Sequence, residues 1–253
     1  MSTTFQDKVA VVTGGAQGVG FAIAEQLLAD GARVVVADLD RARVDAAVEA
    51  LGSDSSGAVA DVSKRADMEA LYAEVVGRHG RLDVVVANAG IGDHAPLAAI
   101  TEAQFDRTFD VNVKGVLFTV QPALPLLASD GAIVIVGSIA STSPPPGMSL
   151  YGGAKAAIRT FVRGWIQDVK GSGVRINVLS PGAVDTESLR TALAQAQGAE
   201  RVDAAVAAMG EGNPLGRIAS PREIAAAVAF LASDAASFIT GVELCADGGL
   251  AQF

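Results

Sequence analysis

Lys8-Val9-Ala10-Val11-Val12-Thr13-Gly14-Gly15-Ala16-Gln17-Gly18-Val19-Gly20 is the stretch on which the fold turns. The apolar run 9–12 has the length of a buried parallel strand and is too short for a helix. It breaks at Thr13-Gly14-Gly15, and a helical pattern begins at Gly18. Glycines in such a turn permit positive φ and remove the Cβ atoms that would hold the backbone away from a phosphate. The helix that follows points unpaired N–H groups and the positive end of its dipole at the turn, which suits a pyrophosphate. A tight strand–helix turn that binds nothing has the same local pattern, so the rest of the chain has to decide.

Moving outward, apolar strand-like runs alternate with amphipathic stretches to the end of the chain. Strands are expected over 33–37, 57–60, 82–87, 132–136, 174–179 and 242–245, besides 9–12. Helices are expected over 19–30, 41–51, 66–78, from Thr101 past Asn112 to about Leu127 with a bend at Pro122 or Pro125, over 149–170, and from Ser220 to Ala232. Thr101 with Gln104 reads as a capping box, and Ser220-Pro221 as an N-cap with proline at the first helical position. No linker, repeat or low-complexity run divides the chain. The expected architecture is one α/β domain over 1–253, a Rossmann-like doubly wound parallel sheet of about seven strands with helices on both faces. Within it, residues 185–213 form a strand-free, Ala- and Gln-rich helical excursion.

Composition narrows the function classes. Half of the 253 residues are hydrophobic and 19% are charged, so a sizeable core can be buried. A net charge of −9 argues against nucleic acid or an anionic membrane surface as partner. The single cysteine, Cys245, excludes an intramolecular disulfide and reads as a small buried hydrophobe in a strand. The start lacks a secretory pattern and no apolar run is long enough to span a bilayer, which makes the cytoplasm the expected location. Two histidines and one cysteine do not make an ordinary zinc site, and no metal is expected.

Asp38 ends the second strand, where a carboxylate can accept both hydroxyl protons of an adenosine ribose; the other reading is a cap on the following helix. Tyr151 and Lys155 stand four apart on one helix face, about 5–6 Å apart at Cβ. An ammonium about 4–5 Å from the phenol stabilises the phenolate by roughly 3–4 kcal/mol at an effective dielectric near 20, before desolvation opposes it. That shift would bring the phenol toward acid–base work near neutrality. Most Tyr-x-x-x-Lys pairs are simply surface faces, but Ser138 ends the strand that precedes this helix, so hydroxyl and phenol can meet at the C-terminal edge of the sheet.

With these residues in place the chain resembles the short-chain dehydrogenase/reductase family over nearly its whole length, in the NAD-preferring classical type. Thr13-Gly14-x-x-x-Gly18-x-Gly20 matches its cofactor turn, Asp61-Val62 the pair beside the adenine, and Asn88-Ala89-Gly90 its sheet-stabilising motif. Where the family commonly has Asn-Asn-Ala-Gly, this chain has Ala87-Asn88-Ala89-Gly90, a departure that touches packing more than chemistry. Asn112, Ser138, Tyr151 and Lys155 match the catalytic set, and Pro181-Gly182 with Val184 and Thr186 the stretch that holds the nicotinamide carboxamide. The resemblance implies that Gln17 and Val19 also touch NAD. It implies that Tyr151 exchanges a proton with the substrate oxygen, Ser138 hydrogen-bonds that oxygen, Lys155 lowers the tyrosine pKa and holds the nicotinamide ribose, and Asn112 supports a water leading to solvent. The implied activity is interconversion of a small ketone and a secondary alcohol, with 185–213 covering the substrate.

Two other classes share part of this pattern. A dinucleotide-binding sensor or scaffold without turnover would not require the full Asn112, Ser138, Tyr151 and Lys155 set. An S-adenosylmethionine methyltransferase would not require Tyr151 and Lys155 on one face. Reductases of acyl-carrier proteins in this family carry basic residues that this chain lacks over 124–130 and at Gln167 and Asp168, although Arg159 and Arg163 remain. His94 reads as a solvated loop residue or a pocket neighbour, and His79 as a helix-end charge. Pro144-Pro145-Pro146 stiffens the loop between Ser138 and Tyr151. The helix over 149–170 has two apolar rows, Ala154, Ile158, Val162, Ile166 and Ala157, Phe161, Trp165, Val169. The second row fits either a neighbouring helix or a subunit interface, and the resemblance implies a homotetramer.

Overall fold

A computed structural model describes residues 4–252; Phe253 and residues 1–3, on which part of the leader reading rests, lie outside it. Seven parallel strands form one sheet in the order β3-β2-β1-β4-β5-β6-β7. They are β1 Val9–Thr13, β2 Arg33–Asp38, β3 Ser55–Val59, β4 Leu82–Ala87, β5 Leu127–Val136, β6 Arg175–Pro181 and β7 Glu243–Ala246. The helices are α1 Gly18–Ala29, α2 Arg41–Leu51, α3 Arg65–His79, α4 Glu102–Phe109, α5 Gly115–Val120, α6 Ser149–Asp168, α7 Glu187–Gln197, α8 Val202–Glu211 and α9 Pro221–Ala232. A strand buried on both faces sends alternate side chains to opposite cores, and the valine runs do this. Ala10, Val12, Val34, Val36, Val84 and Val86 join Ile23 and Leu27 of α1 with Ile224, Val228 and Leu231 of α9. Val9, Val11, Val35, Val85, Ile133 and Ile135 join Met68, Leu71 and Tyr72 of α3, Val120 of α5, and Ile158 and Val162 of α6 on the other face.

Local signals hold where side chains cap backbone. Thr101 and Gln104 form the capping box of α4, and Ser220 and Glu223 that of α9, with Pro221 in its first turn. The long helix expected through Asn112 is instead interrupted. A π turn, Asp110–Lys114, separates α4 from α5, which ends at Val120 before either proline. Asn112 Nδ2 donates to the Thr108 carbonyl at 3.0 Å, competing for the group that an α-helical amide would use. β3 begins earlier than expected because Ser55 and Ser56 carry no apolar signal, and β5 extends back to Leu127 across a register shift against β4. β6 and β7 are each shifted by one residue or more toward their C-terminal ends.

The 185–213 excursion is helical, as α7 and α8 joined by a 3-10 turn. Arg190 pins it by pairing with Asp185 at 2.6 Å and Asp203 at 2.8 Å. The second apolar row of α6 is largely absorbed within the chain: Trp165 and Val169 pack against the α3–α6 core, while Phe161 stays at the surface with its ring 5.6 Å from that of Trp165. Buried Arg175 donates to the carbonyls of Leu231, Ala232 and Ser233, satisfying the end of α9. Among the described residues no helix is long and apolar enough to cross a membrane.

Candidate active site

The strand order reverses between β1 and β4, and a cleft of about 390 Å³ opens over their C-terminal ends. It is lined by Gly14, Gln17, Gly18, Val19 and Gly20 of the first turn, by Asp38, by Asp61 and Val62, by Asn88, Ala89 and Gly90, and by Thr186. The glycines divide the work. Gly14 and Gly18 have φ of 62° and 55°. A Cβ on Gly20 would lie 2.0 Å from the Gly14 carbonyl oxygen, so that residue lets α1 close on the turn. A Cβ on Gly18 would meet nothing nearer than Thr186 Cγ2 at 3.7 Å, which leaves backbone open to the cleft. Gln17 provides no side-chain cap and the first turn of α1 holds no acid, so the helix start is left for an anion.

Asn88 braces this floor. Its Nδ2 donates to the carbonyls of Thr13 and Gly14 at 3.0 Å each, tying the end of β4 to that of β1. Asp38 sits at the rim, and the only hydrogen bond to its carboxylate among the described residues is from the Leu39 amide at 2.8 Å. The helix cap on α2 is Asp40, not Asp38, so the carboxylate at 38 is left to the cleft. Burial acts to raise the Asp61 carboxyl, but hydrogen bonds from Ser63 and the nearby Lys64 outweigh it and hold the carboxyl below its ordinary value. Thr186 caps α7 through the Leu189 amide at 3.1 Å.

The catalytic candidates gather on the other side of Gly90 and do not line this cleft. A Cβ on Gly90 would come 2.8 Å from Asn112 Oδ1 and 3.5 Å from Lys155 Nζ, so glycine there lets the two groups stand together. Asn112 is fully buried; its Oδ1 accepts from the Ile91 amide at 3.2 Å and its Nδ2 donates to the Ile91 carbonyl at 2.9 Å. Ser138 caps a short 3-10 turn, Ile139–Ser141. Lys155 is buried and donates to the Val136 carbonyl at 2.7 Å, with Nζ 5.7 Å from the centre of the Tyr151 ring. Pro181 ends β6, Gly182 lies against Asp247, and Val184 bridges to Ala219; none of the three borders the nucleotide cleft.

The electrostatics differ from the expectation drawn from spacing alone. Burial is the largest influence on the Tyr151 phenol and raises its pKa; a hydrogen bond with Ser138 pulls the other way without cancelling it. Burial also lowers Lys155 to about 8. The phenol is thus held protonated at neutral pH, ready to donate, and Lys155 gives up its own proton more easily than an exposed lysine.

Several neighbours carried little signal in the sequence. Ile91, Val111 and Ser188 line the cleft only because the loops after β4, the π turn and α7 meet there. Arg43, which like Arg41 stands close in sequence to Asp38 and is expected near it, also lines the cleft, donating to Gln17 Oε1 at 3.1 Å. Arg41 instead pairs along its own helix with Asp45. His94 is exposed on a loop whose Ala95 amide bonds Gly147 at 2.9 Å, bracing the end of the triple-proline segment. His79 closes α3 as expected, with Gly80 forming the left-handed cap, while burial, then Arg78 and Arg33, push its pKa down and weaken its charge there. Cys245 is only partly buried, and burial followed by Glu243 and Asp247 raises its pKa.

Known proteins resemble this chain over nearly its whole length. Residues 14–251 match a family model described as enoyl-(acyl carrier protein) reductase. An oxidoreductase of Sarocladium schorii, asL5, is 43% identical over 97% of this chain and 96% of its own length. The 4-formylbenzenesulfonate dehydrogenase of Comamonas testosteroni is 42% identical over 96% and 97%. The crystal structure of levodione reductase superposes with a TM-score of 0.92 at 31% identity, covering 98% of this chain and 99% of that one. The chain belongs to the short-chain dehydrogenase/reductase family and is an oxidoreductase of that type, with a nicotinamide dinucleotide as cofactor and a small molecule as substrate.

Proposed function

We propose that the protein interconverts a secondary alcohol and a ketone by hydride transfer to or from NAD(H). The observation that carries this reading is the meeting of Ser138, Tyr151 and buried Lys155 at the C-terminal edge of β5, backing onto the nucleotide cleft through Gly90. The cleft fits a dinucleotide on its own geometry: an uncapped helix start, open backbone at Gly18 and an unpaired carboxylate at Asp38. The cofactor supplies or accepts the hydride. Tyr151 donates or takes the proton on the substrate oxygen, Ser138 holds that oxygen, and Lys155 keeps positive charge beneath the phenol and binds the nicotinamide ribose. Asn112, locked to the loop after β4, supports the water path from Lys155. Gly14, Gln17, Gly18, Val19 and Gly20 hold the pyrophosphate, Asp61, Val62, Asn88, Ala89 and Gly90 flank the adenosine half, and Pro181, Gly182, Val184 and Thr186 hold the carboxamide.

The reading extends to a single domain over 1–253, with 185–213 covering the substrate, in a cytoplasmic homotetramer. An acyl-carrier partner is disfavoured because Arg159 is engaged inside the chain with Glu243 and Thr142. Light scattering at micromolar concentration should return a tetramer mass; a monomer overturns that part. A screen of ketones with NADH and secondary alcohols with NAD⁺, read by nicotinamide absorbance, tests the activity itself. Absence of turnover together with tight NADH binding would favour a sensor or scaffold.

Cofactor choice follows from Asp38. A 2′-phosphate about 4 Å from that carboxylate meets repulsion of roughly 1–4 kcal/mol, or about 5- to 1000-fold in affinity. Arg43 is close enough to soften this, but it is already shared with Gln17 and Asp40. NAD(H) should therefore exceed NADP(H) in kcat/KM by at least about fivefold. Equal efficiency with both would contradict the assignment of Asp38 to the ribose.

A further inference from the structure

Glu243 of the edge strand β7 lies outside the reading above, yet segments surrounding Ser138 and Tyr151 converge on its carboxylate. Oε1 accepts from Ser180 Oγ at 2.7 Å, near the end of β6, and from Ser141 Oγ at 3.3 Å, the last residue of the turn that Ser138 caps. Oε2 stands 2.6 Å from Arg159 Nε on α6. That contact is close but not aligned as a hydrogen bond; the guanidinium donates instead through Nη1 to Thr142 Oγ1 at 3.0 Å, immediately after the same turn. The two charged side chains are only 28% and 18% exposed, so each depends on the other more than a surface pair does.

The placement bears on the chemistry. Tyr151, Lys155 and Arg159 succeed one another at four-residue steps along one side of α6. Ser138 and Ser141 belong to the turn that faces them. One carboxylate therefore holds the turn carrying the hydroxyl and the helix carrying the phenol. β5 and β6 are also pressed together just before Ser138, where a Cβ on Gly137 would lie 2.6 Å from Ser180 Oγ. We propose that Glu243 and Arg159 are positioning residues that set the separation between the Ser138 hydroxyl and the Tyr151 phenol. This inference rests on the proposed roles of Ser138 and Tyr151.

Glu243→Gln keeps the shape and the acceptor for Ser180 and Ser141 but removes the charge that faces Arg159; Arg159→Met removes the partner. On the ketone returned by the screen, each should lower kcat about 10- to 100-fold, the size of effect expected from misplacing a reacting group by a fraction of an ångström to an ångström. KM for NADH should stay within about twofold, because neither residue borders the nucleotide cleft. In a Ser138→Ala background the loss from Glu243→Gln should shrink to about threefold or less, since the hydroxyl being placed is gone. A purely structural tie would lower the melting temperature and leave kcat of the folded protein unchanged; that result overturns the proposal. Should Arg159→Met fold poorly, Arg159→Lys keeps the charge but not the planar fork and permits the same comparison. Tyr151→Phe, assayed alongside, separates the two levels. Normal turnover in Tyr151→Phe removes the site assignment and this inference with it, whereas an inactive Tyr151→Phe beside a fully active Glu243→Gln removes the inference alone.

Discussion

Tyr151→Phe is expected to fold, bind NADH and lose at least about 10²- to 10⁴-fold in kcat, the usual contribution of a positioned acid or base. The substitution preserves the ring and removes only the ionisable oxygen. Burial raises the wild-type phenol's pKa and so keeps it protonated near neutrality; in the proposed ketone reduction it would act as a donor already carrying its proton. Reduction should accordingly be insensitive to pH near neutrality. Alcohol oxidation, which needs a deprotonated phenol, should climb as the medium becomes alkaline. The check is kcat in both directions for wild type and variant from about pH 6 to pH 10, with NADH dissociation measured separately. Near-normal kcat in a folded Tyr151→Phe protein would end the proposed mechanism.

Lys155→Met is expected to impair both chemistry and cofactor binding, and to change the pH dependence of stability in a direction fixed by burial. Burial lowers the Lys155 pKa from the ordinary lysine value to about 8. Between about pH 8 and the ordinary lysine value, the unfolded chain therefore holds a proton that the folded chain has lost. Stability from this group rises with pH across that window and is lowest below it, where the folded state must bury an ammonium. The full span is on the order of 3 kcal/mol. Methionine fills similar volume without the charge, so the variant should lack that rise. A melting-temperature series for both proteins checks it: parallel profiles would mean that Lys155 titrates like an exposed lysine. In turnover, the wild-type reductive rate should fall above about pH 8 as the ammonium deprotonates, and the variant should show a lower rate without that limb.

Much of the fold was written in short-range patterns. Runs such as Val34-Val35-Val36 have to be parallel strands buried on both faces, and Thr101–Gln104 and Ser220–Glu223 place two helix starts by local hydrogen bonds alone. β3 was misplaced because Ser55 and Ser56 are strand residues only by virtue of pairing with Val34 and Val35. The break at Asn112 was hidden for a related reason: its amide answers to Ile91, 21 residues away. In the candidate site, the proximity of Tyr151, Lys155 and Ser138 could be read from spacing, but the direction of the Tyr151 shift could not. Spacing sets how near Lys155 stands, whereas desolvation depends on segments that arrive from elsewhere in the chain. Val111 and Ser188 reach the cleft in the same way.

The packing of α1 against α9 has a consequence for how the protein is made. Ile23 and Leu27 are covered by Ile224, Val228 and Leu231, so the helix that begins at the glycine-rich turn completes its core only when α9 has left the ribosome. Until then the nascent chain presents an uncovered apolar stripe beneath an otherwise finished turn, a surface for a chaperone to hold. A chain cut before α9 should therefore bind nucleotide poorly, even though every residue lining the cleft precedes the cut.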